Sequence, residues 1–575
     1  MAKKARNKMD YYETREVSDI KDMIYSSVEL YADRRAFLVK NKPGDQYRPI
    51  SYTQLREDMD GLGTGLMELG LQGKKIAVIG ENRYEWVITY LAVVCGGSVI
   101  VPLDRELPHT EIRNLLERAG ASALVFSGKV SITVDEAIKD LEGLEYLIGM
   151  DMDEDRDGKK SLKRLIARGK TLIDMGNRKY IEKTIDPEAM NMLLYTSGTT
   201  GLAKGVMLSH KNIISNVINM SKYVNVDGMV GLSVLPMSHT YEMTCHIMTS
   251  MYQGVCVAIC DGLKYIVQNM VEAKVNVMLG VPLIFESMHK KVWKQAEKSG
   301  KAVKMRKAIA VTKKLGIGNT GATRRIFKQV HQTLGGEMKL LISGAAAIDP
   351  EVVENFCAMG FNMIQGYGMT ECSPIIAVNK DNYSKAASVG LPLPGTEILI
   401  QDPDENGIGE IVCKSASVMI GYYDDPEETD RVLKDGWLYT GDYGYMDKDG
   451  FLYITGRKKN VIVTKNGKNI FPEEVEYYMA RSDYIGEIMV YGMEDKKNGE
   501  TIVCAEIFPD HPAIEEVWGV LPQEEIRKLI KREIDKLNDL MPLYKRVKRF
   551  EIRETEFEKT TSKKIKRYMA NHNSN

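Results

Sequence analysis

Residues 195–206 read Tyr-Thr-Ser-Gly-Thr-Thr-Gly-Leu-Ala-Lys-Gly-Val, with four aliphatic hydroxyls, three glycines and one lysine in twelve positions. Glycine lets the backbone approach a ligand and turn its N–H groups inward. Hydroxyls and the Lys204 ammonium add donors suited to a polyanion. Met192-Leu193-Leu194 before the loop and Val206-Met207-Leu208 after it each read as a short strand. The expectation is a phosphate clamp at a hairpin tip. The Walker strand–loop–helix needs glycine directly before its lysine, where this chain has Ala203. The competing reading is an ordinary polar turn.

Working outward, the chain has 575 residues, enough for several compact units. It is 44% hydrophobic and 27% charged, as ordinary globular proteins are. A formal net charge of −1 argues against a dedicated nucleic-acid binder. The eight cysteines form no CxxC or Cys/His cluster, so reduced cytosolic thiols are expected, with no metal site or disulfide frame. The basic N-terminus runs into Asp10-Tyr11-Tyr12-Glu13 and not into an apolar segment. Residues 86–103 carry no charge, but Gly96-Gly97-Ser98 and Pro102 divide them into a buried helix, a turn and a buried strand. The expected location is cytoplasmic, with at most peripheral membrane contact.

Strand and helix patterns alternate over the first 400 residues. Helical periodicity covers 51–71, 83–95 and 108–119; apolar strands are expected at 75–80, 99–101 and 123–126. This rhythm gives an α/β class with parallel sheets covered by helices. Residues 151–183 read as charged, irregular and outside the core, and 290–325 as a basic, solvated helical excursion. From about 395 the texture becomes short strands with Gly and Asp turns, a β-rich module over 395–456. Residues 457–575 are large enough to form a separate α+β unit, giving a main domain of 1–456 and a smaller C-terminal one.

Four further segments carry chemistry. Residues 340–347 read as a strand emptying into small residues, Gly344, Ala345 and Ala346 among them, where a flat ring or thin chain could lie on backbone. Gln365-Gly366-Tyr367-Gly368-Met369-Thr370-Glu371 offers an aromatic face, a hydroxyl and a carboxylate, suited to a base, a phosphate and a divalent cation. Tyr439-Thr440-Gly441-Asp442 puts a carboxylate after an expected strand end, suited to a ribose diol. Residues 558–567 form a cationic segment whose alternative reading is a solvated tail.

In this order the segments resemble the adenylate-forming superfamily of acyl-CoA synthetases, luciferases and peptide-synthetase adenylation domains, over about 51–567. The loop is similar to the superfamily's Tyr-Thr-Ser-Gly-Thr-Thr-Gly-x-Pro-Lys-Gly-Val, with Ala203 at the proline. The resemblance implies a large N-terminal domain of two parallel-type sheets plus a distorted β-barrel, followed by a small α+β lid. It implies that ATP and a carboxylate give acyl-adenylate and pyrophosphate, and that a thiol, usually of CoA, displaces AMP. Under it, Thr196, Ser197, Gly198, Thr199, Thr200, Gly201 and Lys204 clamp the β- and γ-phosphates. Gly344, Ala345 and Ala346 line adenine, Tyr367 stacks on it, and Gln365, Gly366 and Gly368 complete the wall. Thr370 donates to the α-phosphate, while Glu371 holds Mg²⁺ with Thr196. Asp442 and Arg457 take the ribose, Lys564 bridges carboxylate and α-phosphate, and Lys459 is the hinge.

The tail departs from the superfamily pattern, with Glu558 for proline and Lys563 for glycine. Register favours Lys564 over Lys563. In the loop after the hinge a common lysine is Val463, Lys465 is its candidate replacement, and Gly467 lies on the CoA path. Leu235-Pro236-Met237-Ser238-His239-Thr240-Tyr241-Glu242 resembles a segment of long-chain acyl-CoA synthetases. It places Met237 and His239 beside an acyl channel; the alternative for His239 is a satisfied core histidine. No charged residue stands out as a specificity key, which suits a medium- or long-chain fatty acid. Two other readings stay open: loading of an acyl-carrier protein in trans, for which the basic run 545–549 serves as well as for CoA, and a non-catalytic adenylate-binding regulator.

Overall fold

In the computed structural model, residues 10–196, 203–318, 320–464, 469–494, 500–559 and 565–567 are described. They fall into two compact units. The first takes the chain up to Thr196, then Ala203–Glu397 and Lys414–Gly436; the second takes Ile398–Cys413 and the chain from Trp437 on.

The first unit holds two mixed sheets. In one, eight strands run in the order Gly421–Tyr422, Lys204–Ser209, Met190–Thr196, Val99–Leu103, Lys75–Ile79, Ala123–Phe126, Tyr146–Gly149 and Lys159–Ser161. Its pairings are parallel from Met190–Thr196 to the far edge and antiparallel through the hairpin and the returning Gly421–Tyr422. The other has nine strands, with a parallel centre including Val230–Ser233, Val277–Gly280, Leu340–Ser343 and Asn362–Gly368, and antiparallel edges. Helix His210–Tyr223 touches strands of both. The uncharged stretch resolves into the buried helix Tyr84–Cys95 and strand Val99–Leu103. No described helix is long and apolar enough to cross a membrane. All eight cysteines are free.

Residues 151–183 correct the sequence reading. They contain the helix Leu162–Asp174, which packs closely on Tyr52–Glu68. A Cβ at Gly169 would lie 1.8 Å from the Gly61 carbonyl oxygen, and one at Gly63 would lie 2.0 Å from the Tyr180 ring. The close approach of the two helices rests on Gly61, Gly65 and Gly169, while Gly63 makes room for Tyr180, which is core. The 290–325 segment is also anchored, since Val292, Met305 and Ile309 join an apolar cluster of the first unit.

In the second unit Trp437–Met446 pairs antiparallel with Gly409–Lys414 and Leu452–Arg457. Among the described residues these strands form an open sheet; the expected distorted barrel is not closed. A second sheet pairs Ile485–Glu494 with Thr501–Pro509, which Val547–Ile552 joins in parallel. The helices Pro472–Met479 and Gln523–Asn538 close its core through Val475, Met479, Ile530 and Ile534.

Candidate active site

The hairpin expected around the loop is present: Thr196 pairs with Lys204 and Tyr195 with Gly205. Ser197, Gly198, Thr199, Thr200 and Gly201 lie outside the described residues, as do Lys563, Lys564 and Gly467. Lys204 makes an ion pair with Glu428. Glu428 also accepts from Arg431 Nε at 2.6 Å, and Arg431 first and then Lys204 hold its carboxyl down at about 2.

Tyr422 links this lysine to the second motif. Its strand pairs with Lys204–Ser209, its hydroxyl donates to Glu371 Oε1 at 2.8 Å, and Lys204 Nζ lies 5.3 Å from its ring centroid. Burial, then the Glu371 charge, raise the phenol pKa, so Tyr422 stays a donor. Lys204, Tyr422 and Glu371 therefore gather in one place although their motifs are far apart in sequence.

Two buried asparagines fix that gathering. From helix His210–Tyr223, Asn216 Nδ2 donates to the carbonyls of Ile375 at 2.9 Å and Cys372 at 3.2 Å. Asn212 Nδ2 donates to Val418 at 2.9 Å and Ala416 at 2.8 Å, and Met419 N donates to the Glu371 carbonyl at 2.8 Å. Sequence reading missed Asn212, Asn216, Tyr422 and Glu428. The capping box at Ser209 marks the start of this helix, but nothing local tells where its amides point.

The glycines of the second motif have a steric reason of their own. A Cβ at Gly368 would lie 2.0 Å from the Pro374 carbonyl oxygen, and one at Gly366 would lie 3.1 Å from Val378. Gln365 is buried and spends its amide on Ala386 O at 2.6 Å. Thr370 opens a short 3₁₀ turn with Glu371, and Tyr367 is half-buried at the end of Asn362–Gly368.

Gly344 is buried, while Ala345 and Ala346 are exposed, and Ala345 holds φ at 70°. Tyr241 braces this strand end, donating to Ile342 O at 2.9 Å, and a Cβ at Gly344 would lie 2.8 Å from its ring. Tyr241 opens a π-helical turn, Tyr241–Met248. Within it, buried Glu242 and His246 pair at 2.9 Å, leaving Glu242 Oε2 and His246 Nε2 without partners. Met237 is buried, with its N–H on Asn82 Oδ1 at 3.3 Å. His239 is no core residue: its side chain is 41% exposed, with Nε2 3.7 Å from Asp104 Oδ2.

In the second unit the strand register sets Asp442 opposite Arg457, Nε to Oδ1 2.8 Å. Asp442 sits within a ten-residue strand and not after a strand end as expected, because Gly441 at φ 68° bulges the chain there and lets it continue. Asp442 is buried at 4% exposure, and Arg457 reaches out from it. Lys458 pairs with Glu410 at 2.6 Å, and Lys459 lies in the short turn Lys458–Asn460.

Against known proteins, the family described as AMP-binding enzyme matches residues 25–423. The chain belongs to the AMP-binding enzyme family. Among its relatives, long-chain-fatty-acid–CoA ligase 5 of Rattus norvegicus is 31% identical over 498 residues, 80% of this chain and 71% of the relative. The long-chain-fatty-acid–CoA ligase of Escherichia coli O6:H1 is 24% identical over 567 residues, 89% of this chain and 93% of the relative. Among solved structures, the anthranilate CoA ligase AuaEII in complex with anthranoyl-AMP superposes with a TM-score of 0.74 at 19% identity, covering 97% of this chain and 96% of that one. At that identity the likeness shows the fold, an α/β N-terminal region with a smaller C-terminal one.

Proposed function

We propose that this AMP-binding enzyme is an ATP-dependent acid–thiol ligase that activates a medium- or long-chain fatty acid as acyl-AMP and passes the acyl group to CoA. The observation that carries the reading is the meeting of Lys204 and Glu371 at Tyr422. A cation and a carboxylate side by side suit a metal-bound triphosphate, in which one group faces phosphate oxygen and the other faces the metal. The choice of acid and thiol rests on the names of the relatives at 31% and 24% identity.

The residues fit Mg²⁺. The ion takes one or two carboxylates and completes its shell with phosphate and water oxygens, and Glu371 with the Thr196 hydroxyl is such a set. When bound, Mg²⁺ would neutralise charge on the triphosphate. The chain's own side chains do the positioning. Lys204 leaves Glu428 for the β- and γ-phosphates, together with the hydroxyls of 196–200, so that pyrophosphate departs from a fixed geometry. Thr370 donates to the α-phosphate, Tyr367 stacks on adenine beside Gly344–Ala346, and Asp442 with Arg457 takes the ribose hydroxyls. Lys564 stabilises the charge that develops as the carboxylate attacks. Residues 457–575 serve as a lid hinged at Lys459, bringing the Gly467 loop to the thiol step. Met237 and His239 flank the acyl path.

The test is ATP–pyrophosphate exchange across C2 to C18 fatty acids, aryl acids and amino acids, with and without CoA. Exchange peaking at medium or long fatty acids, with CoA-dependent AMP release, is the expected result. Exchange indifferent to CoA redirects the reading to an acyl-carrier acceptor, and ATP binding without exchange sinks the enzyme reading.

A further inference from the structure

The three helices Pro282–Lys298, Ala302–Leu315 and Gly321–Ile326 carry the most one-sided charge of the chain. Residues 290–328 hold thirteen lysines and arginines against one acid, Glu297, in a protein of net charge −1. Twelve of the thirteen are exposed; Arg324 is half-buried, its guanidinium donating to Met338 O at 2.8 Å. Charge alone would mark a solvated face.

Aliphatic side chains stand among these cations. Leu283, Val303, Val311, Leu315 and Ile326 are between 53% and 63% exposed. On Ala302–Leu315 the pattern is helical. Met305, Ile309 and Thr312 are buried, and at 100° per residue Val303, Lys307 and Val311 rise along the opposite side with Lys314 among them, while Leu315 continues the row onto the flank beside Lys304. A helix with one face in the core and a second stripe of aliphatics flanked by lysines has the composition of an interfacial helix.

We propose that the outward face of Ala302–Leu315, with the neighbouring exposed parts of Pro282–Lys298 and Gly321–Ile326, docks the protein on a bilayer rich in anionic lipid. Lysines near such a surface bind the headgroup charge, while Val303, Val311 and Leu315 enter the boundary between headgroups and acyl chains. A nucleic acid or an acidic protein would satisfy the cations but leave the aliphatic stripe in water. With a net charge near zero the attraction is local, so it orients the molecule on this face. The inference goes beyond the ligase reading and does not depend on it.

Co-sedimentation of the full chain with vesicles tests it, without nucleotide or acyl substrate. Binding is expected to vesicles of phosphatidylcholine with about 30% phosphatidylglycerol and not to phosphatidylcholine alone, and to fall steeply from about 0.1 to about 0.5 M salt. Replacing Lys304, Lys307 and Lys314 together by Gln should weaken the partition about 100-fold, at roughly fivefold per cation. Replacing Val303, Val311 and Leu315 by Ser keeps the charge and should weaken it roughly tenfold or more. All six positions are exposed, and melting curves verify that each variant is folded. Failure of the unaltered protein to bind anionic vesicles overturns the proposal. So does unchanged vesicle binding by the serine variant, which would make the face a plain polyanion surface for nucleic acid or an acidic carrier.

Discussion

The charged groups proposed for the two halves of the site are held differently in the two units. In the first unit Lys204 is sheltered and paired with Glu428, which Arg431 shares, and Tyr422 and two buried asparagines position its surroundings. In the second unit strand register sets Asp442 opposite Arg457. The first arrangement must open before the cation can meet a polyanion. The second pairs a buried carboxylate with a partly exposed guanidinium within one sheet, where, under the proposed function, both meet the ribose from the same side of the pair. Under the proposed function the first half exchanges partners and the second is preset.

The largest effect expected from breaking this contrast is that of Lys204→Ala, a loss of ~10²–10³-fold in pyrophosphate exchange, as for other positioned charges in catalytic sites. An exchange rate within threefold of the unaltered protein would remove the lysine from the mechanism. Asp442→Asn should lower kcat/KM for ATP by ~10–100-fold and erase discrimination against 2′-deoxy-ATP, because a charged acceptor for the diol is lost. Intact discrimination would show that the preset half is not the ribose site.

Glu428→Gln sharpens the contrast by freeing the lysine. Its ATP KM should fall ~2–5-fold, about the worth of a partly exposed ion pair, while its Tm drops. The Tm difference also has a pH signature. The Glu428 carboxyl is held below its usual 4.5, at about 2, so its ionised form stabilises the fold fully above pH 4.5 and loses that contribution as pH falls towards 2. The gap between the two proteins should therefore be wider at neutral pH than at pH ~3.5. A gap that widens in acid would contradict the assignment. The smallest effect on chemistry is expected from Asn216→Ala. It orphans two backbone carbonyls beside Glu371 and should destabilise by about 1–3 kcal/mol, read by denaturant unfolding, with a modest rise in ATP KM.

Local pattern made the preset half nearly legible. A ten-residue strand, a bulging glycine and a pairing strand fifteen residues on are short-range features, although Asp442 was expected past the strand end. The hairpin around 195–206 and the alternation from 75 to 126 were equally local, and the structure has them. The exchanging half could be read only as separate motifs. Glu428 lies 224 residues from Lys204, and no window of sequence shows that a two-residue strand at Gly421–Tyr422 returns to the hairpin. The same limit hid the Leu162–Asp174 helix from the core. Its charge was visible, whereas the glycines that admit it stand a hundred residues earlier, at Gly61 and Gly65. The π-helical turn at Tyr241–Met248 has the side chains of an ordinary helix, and its extra residue leaves no compositional mark.

The returning segment Lys414–Gly436 also sets a timetable for biosynthesis. At about 5–20 residues per second, the ribosome adds Glu428 roughly 10–45 s after Lys204. Until then the nascent chain carries a hairpin without its edge strand and a lysine without its counter-ion. The first unit is thus finished only after part of the second has been made. A chain stopped at Glu397 would contain every residue of the 195–206 segment and of the Thr370–Glu371 turn, but neither Tyr422, which bonds Glu371, nor Glu428, which pairs with Lys204.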